Sequence, residues 1–275
     1  MASSFLLSPF PNRIPKGQIR PTGDPSPLFQ RLFMSTYQIA ELIVELPVRG
    51  KRLAEQSQAY RVDTEAPPQL QIDISDAHLL DMRRRYPEFS LDDLEYVRTG
   101  TLFYEKFIDF SGFMLHASAV AFQGKAYLFS GPSGIGKSTH TELWQRRFGE
   151  KNAVIINDDK PAIRLVNGQL LVFGTPWSGK SDKNLNIRVP LQAIAFLHQA
   201  ARNTIRPIHA PEAIFKLLDQ TIRPSNAAKM DLLLHLLDTL LGQIPVYDMD
   251  CTISPEAVEL AYQTMNSTGT SYHEN

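Results

Sequence analysis

Hydrophobic residues come in short bursts along this chain, and the spacing within each burst changes character along its length. Between residues 34 and 74 the bursts "YQIAELIVELPV", "AYRVD" and "QLQIDI" concentrate β-branched and aromatic residues between Pro, Gly and Asp, which predicts strands. The next segment, "DAHLLDMRRRYPEFSLDDLEYVRTGTLFYEKFIDF", spaces apolar residues at helical intervals. It predicts two helices interrupted at Pro87, the second opening on Ser90 as N-cap ahead of Leu94, Val97 and Leu102. Beyond Gly112, "FMLHASAVAF" and "KAYLFS" read as strands joined at Gln123-Gly124. This hairpin predicts a mixed core sheet.

A helix is expected from Thr139 to Phe148 and a strand at "NAVIIN". A loop from Gly174 to Asn186 precedes a buried strand, "LQAIAFL". "APEAIFKLLDQTI" and "AAKMDLLLHLLDTLLGQIP" predict helices, "PVYDMD" a strand, and "SPEAVELAYQTM" a capped helix. The expected organisation is a disordered lead over 1–33, a small α+β region over 34–111, an α/β core over 112–265 and a frayed tail over 266–275. Patterned sequence begins near Met34, so either Met34 is the true start or the roughly 30 residues before it are expected to be dispensable.

Composition narrows the class of molecule. Over 275 residues the chain is 43% hydrophobic, enough for a packed core, and carries 28 basic against 29 acidic side chains. With no block of one sign, a broad nucleic-acid or membrane footprint is not expected. No apolar run approaches the ~18 residues that span a bilayer. The single cysteine, Cys251, makes no internal disulfide and suits a reducing, cytoplasmic compartment.

Candidate chemistry centres on "YLFSGPSGIGKSTHTELW". It fits G-x-x-x-x-G-K-[ST] through Gly131, Gly136, Lys137 and Ser138, between a strand and a helix. Glycines there let successive N–H groups turn inward onto phosphate oxygens, helped by the positive end of the following helix. The expected nucleotide contacts are Gly131, Ser133, Gly134, Ile135, Gly136, Lys137, Ser138 and Thr139, with the Ser138 hydroxyl on Mg2+. Asp158-Asp159 follows the next strand, placed to hold the metal or to take a proton from an attacking hydroxyl. Asp158 is read as base and Asp159 as metal ligand, with exchange of the two roles left open. In the Gly174–Asn186 loop, Lys180 or Lys183 is a candidate for stabilising charge on the transferring group, as is Arg188 beyond it. Trp177 either flanks a ligand or packs beneath the loop.

Together, "LHASAV", "YLFSGPSGIGKSTH" and "VIINDDKPAI" resemble the catalytic core shared by the HPr kinase/phosphorylase family and the ATP-dependent phosphoenolpyruvate carboxykinases. The resemblance runs from about Phe113 to Leu165 and is strongest to compact HPr-kinase-like proteins, some of which phosphorylate serine in ribosomally made peptide precursors such as those of lasso peptides. It implies an α/β P-loop core with a mixed sheet, a functional histidine at His116, ATP and Mg2+ as cofactors, and a peptide or protein acceptor with a Ser/Thr hydroxyl. It also implies a possible homo-oligomer. Two alternatives stand beside it: a small-molecule kinase or carboxykinase-like enzyme, and a nucleotide-binding regulatory module.

Overall fold

The computed structural model describes residues 33–267, so the expected lead and tail lie outside the described residues except for their innermost positions. The first unit is a three-stranded sheet, β1 (Phe33–Ile39), β2 (Leu42–Val48) and β3 (Leu70–Gln71), in that order. "YQIAELIVELPV" is therefore not one strand. Ala40 and Glu41 both take left-handed φ, +50° and +64°, and fold it into a tight antiparallel hairpin. "AYRVD" opens in a 3-10 turn at Ala59 and Tyr60 and then only borders β1, through an Arg61–Tyr37 bridge and the Val62 N–H on the Thr36 carbonyl at 3.0 Å.

Three helices accompany this sheet: α1 (Lys51–Ser57), α2 (Asp76–Arg85) and α3 (Leu91–Phe107). Ser90 caps α3 by accepting from the Asp93 N–H at 3.0 Å. The first turn of α1 has no side-chain cap of its own. Carboxylates of α3 serve it instead: Glu95 accepts from Gly50 N at 2.6 Å and Asp92 from Arg52 N at 3.2 Å.

The second unit is a nine-stranded mixed sheet. One half holds β4 (Gly112–Met114), β8 (Ala162–Val166) and β9 (Gln169–Phe173), ending against the first residues of β10 (Arg188–Gln199). From Leu191 onward, β10 joins the other half, between β6 (Lys125–Ser130) and β12 (Val246–Cys251) and parallel to both. β5 (Ala117–Phe122) lies antiparallel between β6 and β7 (Ala153–Asn157), and β11 (Thr204–Pro207) borders β12.

Alternation along these strands feeds two cores. Val120, Tyr127, Phe129, Ala195 and Leu197 face α4 (Lys137–Phe148) and α7 (Pro255–Asn266). Ala119, Leu128, Ile194 and Phe196 face α5 (Ala210–Asp219) and α6 (Ala227–Gln243). A third core joins β4, β8 and β9 to the N-terminal unit, with Trp177, Phe103 and Phe107 stacked at its centre. The architecture is mixed α/β, and no helix among the described residues is long and apolar enough to cross a membrane.

Candidate functional site

Because β6 and β7 both run antiparallel to β5, they point the same way, and β10 and β12 run with them. The residues that follow β6 and β7 therefore emerge on one edge of the sheet, together with His116 just ahead of β5. Open α/β sheets take ligands at such carboxyl edges.

The loop after β6 is bent by Gly131, Gly134 and Gly136, with φ of +136°, +84° and +109°. Gly131 is also crowded: a Cβ there would stand 3.3 Å from Ile135 Cγ2 and 3.4 Å from the Leu197 carbonyl oxygen of β10. Gly136 hands directly into α4, which leaves the first N–H groups of that helix facing the loop. Ser133, Gly134 and Thr139 are exposed, whereas Ile135 packs on the core. Lys137 is buried, and its ammonium donates to the carbonyls of Gly131 at 2.9 Å and Pro132 at 3.2 Å. Burial lowers its pKa to about 8, although nearby Asp159 works in the opposite direction. Ser138 Oγ lies 3.5 Å from the Asp158 carbonyl oxygen, so the end of the loop and the doublet are side by side.

The two aspartates differ in surroundings. Asp158 is buried and accepts from Gly179 N at 2.7 Å and from the Ser181 hydroxyl. Burial raises its pKa, with those hydrogen bonds opposing. Asp159 is more open. Burial would raise its pKa too, but Lys160 and His116 outweigh it and hold the carboxyl well below the usual carboxylate range. His116 Nε2 stands 3.2 Å from Asp159 Oδ1, and its Nδ1 3.0 Å from Gln220 Oε1 at the end of α5. One carboxylate thus sits among an imidazole and two ammonium groups.

Lys180 is exposed, on the loop between Gly179 and Ser181 that bonds Asp158, and Lys183 accepts the Asp158 N–H on its carbonyl at 3.2 Å while its ammonium pairs with Glu142 of α4 at 2.7 Å. Arg188 opens β10, eight positions before Phe196, the residue that pairs with Ser130 beside the loop; it bonds Glu41 in the β1–β2 turn. The structure does not bring Arg188 to this edge. Lys160, adjacent to the doublet, joins Lys137 beside Asp159. Trp177 is fully buried, stacked on Phe103 with centroids 4.9 Å apart, and flanks no opening.

Sequence reasoning also missed the residues that shape the doublet. Asn157 is wholly buried; its Oδ1 accepts from the N–H groups of Asp159 and Lys160 at 3.0 and 2.7 Å, while its amide donates to the Trp177 carbonyl at 3.0 Å. One side chain therefore fixes both the doublet and the loop opposite it. That loop is held from the far side by the N-terminal unit. Tyr96 accepts from Ser178 N at 2.7 Å, Tyr60 donates to Asn184 at 2.9 Å, and Arg52 reaches Gly179 O at 3.3 Å and Asp182 at 2.9 Å. An Asn at the end of a buried strand ahead of Asp-Asp was the available signal for Asn157. Nothing local marks Arg52.

The edge thus brings a glycine-bent loop at a helix start, the hard oxygen donors of the Ser138 hydroxyl and the Asp159 carboxylate, and the buried Asp158 carboxylate into one neighbourhood, a set of groups suited to binding an anion and accepting a proton. Among the described residues no three His, Cys, Asp or Glu side chains group to hold a metal by themselves. Two oxygen donors plus a ligand's own phosphates fit magnesium, which keeps few protein ligands.

A family model described as SynChlorMet cassette protein ScmC matches residues 91–258. A search of curated proteins finds no match. Among solved structures, the HPr(Ser) kinase/phosphatase from Coxiella burnetii aligns at 13% identity with a TM-score of 0.34, covering 56% of this chain and 95% of that one.

Proposed function

The chain belongs to the SynChlorMet cassette protein ScmC family, and we propose that it is an ATP-dependent phosphotransferase that phosphorylates a serine hydroxyl in a peptide or protein. The observation that carries this reading is the 3.5 Å approach of Ser138 Oγ to the Asp158 backbone, which sets the glycine loop against a candidate base. A module that only bound a nucleotide would need the loop but no base.

In this reading the N–H groups of Ser133, Gly134 and Gly136 and the start of α4 hold the phosphates, and Lys137 turns from the loop carbonyls to the outer phosphate oxygens. Ser138 and Asp159 are the donors for magnesium, which when bound neutralises charge across the outer phosphates. Asp158 takes the proton of the acceptor hydroxyl as its oxygen attacks the terminal phosphorus and the bond to the departing nucleoside diphosphate breaks. Burial keeps Asp158 more basic than an ordinary aspartate. His116 orients Asp159 through their 3.2 Å contact, and Lys160 adds positive charge beside the doublet to that of Lys180 on the loop over Asp158, whereas Arg188 stays at the far end of β10.

The test is transfer from ATP, with magnesium, to a panel of serine- and threonine-containing peptides, read as an 80 Da mass gain, an amount set by the composition of a phosphoryl group replacing hydrogen. Wild type should modify at least one serine peptide, and Lys137→Ala should lose both nucleotide affinity and transfer. ATP binding without transfer to any peptide, protein or small hydroxyl acceptor would leave only a binding module.

A further inference from the structure

The chemistry described above occupies one side of β6, where β5 and β7 present His116 and the doublet. On the other side, β10, β12 and β11 reach the same edge, and they are coupled to the glycine loop. The Leu197 carbonyl lines Gly131, and the Gln199 amide donates to the Ile135 carbonyl at 3.3 Å. Two positions past Phe196, which pairs with Ser130 ahead of the loop, and on the α5 face of the sheet, opposite the face that Leu197 takes, lies a cleft of about 320 Å³ lined by His198, Thr204, Arg206, Asp248 and Asp250.

Its polar groups divide into walls and free acceptors. Asp248 is nearly buried and already engaged, by His198 at 3.2 Å, Arg206 at 2.6 Å and Lys216 at 2.9 Å. Those contacts fix two flat cationic or aromatic groups in place. Asp250 is exposed and accepts from the Thr204 hydroxyl at 3.2 Å, leaving carboxylate oxygen free at the rim. Fixed planar groups beside an open carboxylate match a nucleoside, whose base offers a face and whose ribose offers two hydroxyl donors.

We propose that this cleft takes the nucleoside end of the nucleotide, with Asp250 and Thr204 on the ribose hydroxyls and His198 and Arg206 against the base. The inference rests on the phosphotransferase reading, since it needs the phosphates in the Gly131–Gly136 loop. A triphosphate is a chain with two ends. If its terminal phosphate meets Asp158 on the β5–β7 side, the nucleoside must leave toward β10–β12. The cleft volume falls within the range of small-molecule sites, about 300 to 1,000 Å³.

Calorimetric titration of the full chain, in magnesium, with ATP, 2′,3′-dideoxy-ATP and inorganic tripolyphosphate separates the two readings. Wild type should bind ATP more tightly than the dideoxy analogue or tripolyphosphate. Asp250→Ala should weaken ATP about tenfold to a hundredfold, the loss expected of hydrogen bonds to a charged group. It should erase the preference over the dideoxy analogue and leave tripolyphosphate binding unchanged; Thr204→Val should do the same to a smaller degree. Both substitutions are at exposed positions, and unchanged tripolyphosphate affinity itself reports an intact loop. If both variants bind ATP and the dideoxy analogue as wild type does, the nucleoside lies elsewhere while the phosphotransferase reading survives. If wild type binds neither ATP nor tripolyphosphate, both readings fall.

Discussion

Arg52 of α1 and Asp158 of the doublet meet through a single residue: Gly179 receives Arg52 on its carbonyl at 3.3 Å and gives its N–H to Asp158 at 2.7 Å. The guanidinium is steadied by the Tyr96 ring, 4.2 Å from its centroid, and Tyr96 in turn accepts from Ser178 N. The N-terminal unit thereby sets the position of a loop that hydrogen-bonds the candidate base. Arg52→Ala should lower phosphoryl transfer about tenfold to a hundredfold, as misplacement of a reacting group by about an ångström does. Its ion pairs to Asp182 and Asp93 are partly exposed, and their loss together with the Tyr96 and Gly179 contacts should cost about 1 to 2 kcal/mol of stability. Nucleotide affinity should hold, because no group on the glycine loop is touched. Equal transfer by wild type and variant would show that the clamp is only structural.

What could be read from the chain and what could not follows a physical line. The β5–β6 hairpin, the capped start of α3 at Ser90 and the strand–loop–helix passage at Gly131 are set by residues adjacent in sequence. α1 escaped because its first N–H groups are satisfied by Asp92 and Glu95, some forty positions away. The β8–β9 hairpin was missed despite a local signal, Asn167-Gly168, whose left-handed φ values of +50° and +80° suit a two-residue turn. At the site, motif and spacing brought the loop and the doublet to attention and the family resemblance added His116, and the sheet does gather them at one edge. Charge alone could not set Arg188 apart from Lys160, because strand register puts Arg188 at the far end of β10 while Lys160 follows the doublet.

The doublet should fail asymmetrically when each member is neutralised. Asp158→Asn should retain nucleotide and lose transfer by about a hundredfold to ten-thousandfold, the usual range for a missing base. Asp159→Asn should raise the magnesium needed for half-maximal transfer. Magnesium and nucleotide titrations of both variants against one fixed acceptor measure this, and unchanged transfer in both would remove the doublet from the chemistry.

Ser181 offers a finer probe of the same base. Its hydroxyl donates to Asp158 and lowers the pKa that burial has raised. Removing that donor in Ser181→Ala should push the carboxyl further up, so the acidic limb of the transfer–pH profile should move to higher pH. A limb that stays in place would mean that Asp158 does not govern it.

Gly100 of α3 lies against the Trp177 ring, so a Cβ there would approach the indole carbons to 2.8 Å. Gly100→Ala gains about 1 kcal/mol of helix propensity, yet it must displace a tryptophan stacked on Phe103 and hydrogen-bonded to Thr99 at 3.1 Å. The clash should win, giving net destabilisation of about 1 to 3 kcal/mol. Urea unfolding measures it, and a more stable variant would mean that the packing around Trp177 is looser than described.

His140, three residues into α4 after Lys137, gives the chain an acid-sensitive point next to its glycine loop. The imidazole is buried against Phe129, ring centroids 4.3 Å apart, and among the described residues its Nε2 has no hydrogen-bond partner. Burial alone lowers its pKa to about 4. In the unfolded chain the same group takes up a proton near pH 6.5, so between about 6.5 and 4 the unfolded state binds more protons than the folded one. Stability from this group is therefore complete above pH 6.5 and is lost as pH falls toward 4, in total about 3 kcal/mol for a difference of this size. His140→Leu keeps an apolar side chain in the site and cannot be protonated. Relative to wild type it should gain about 2 to 3 kcal/mol between pH 7.5 and pH 4.5, an amount obtained from the linkage relation and read from urea unfolding at both values. Groups common to both proteins cancel in that comparison. A wild-type-minus-variant difference that does not change with pH would place His140 in contact with water or with a partner able to share its proton.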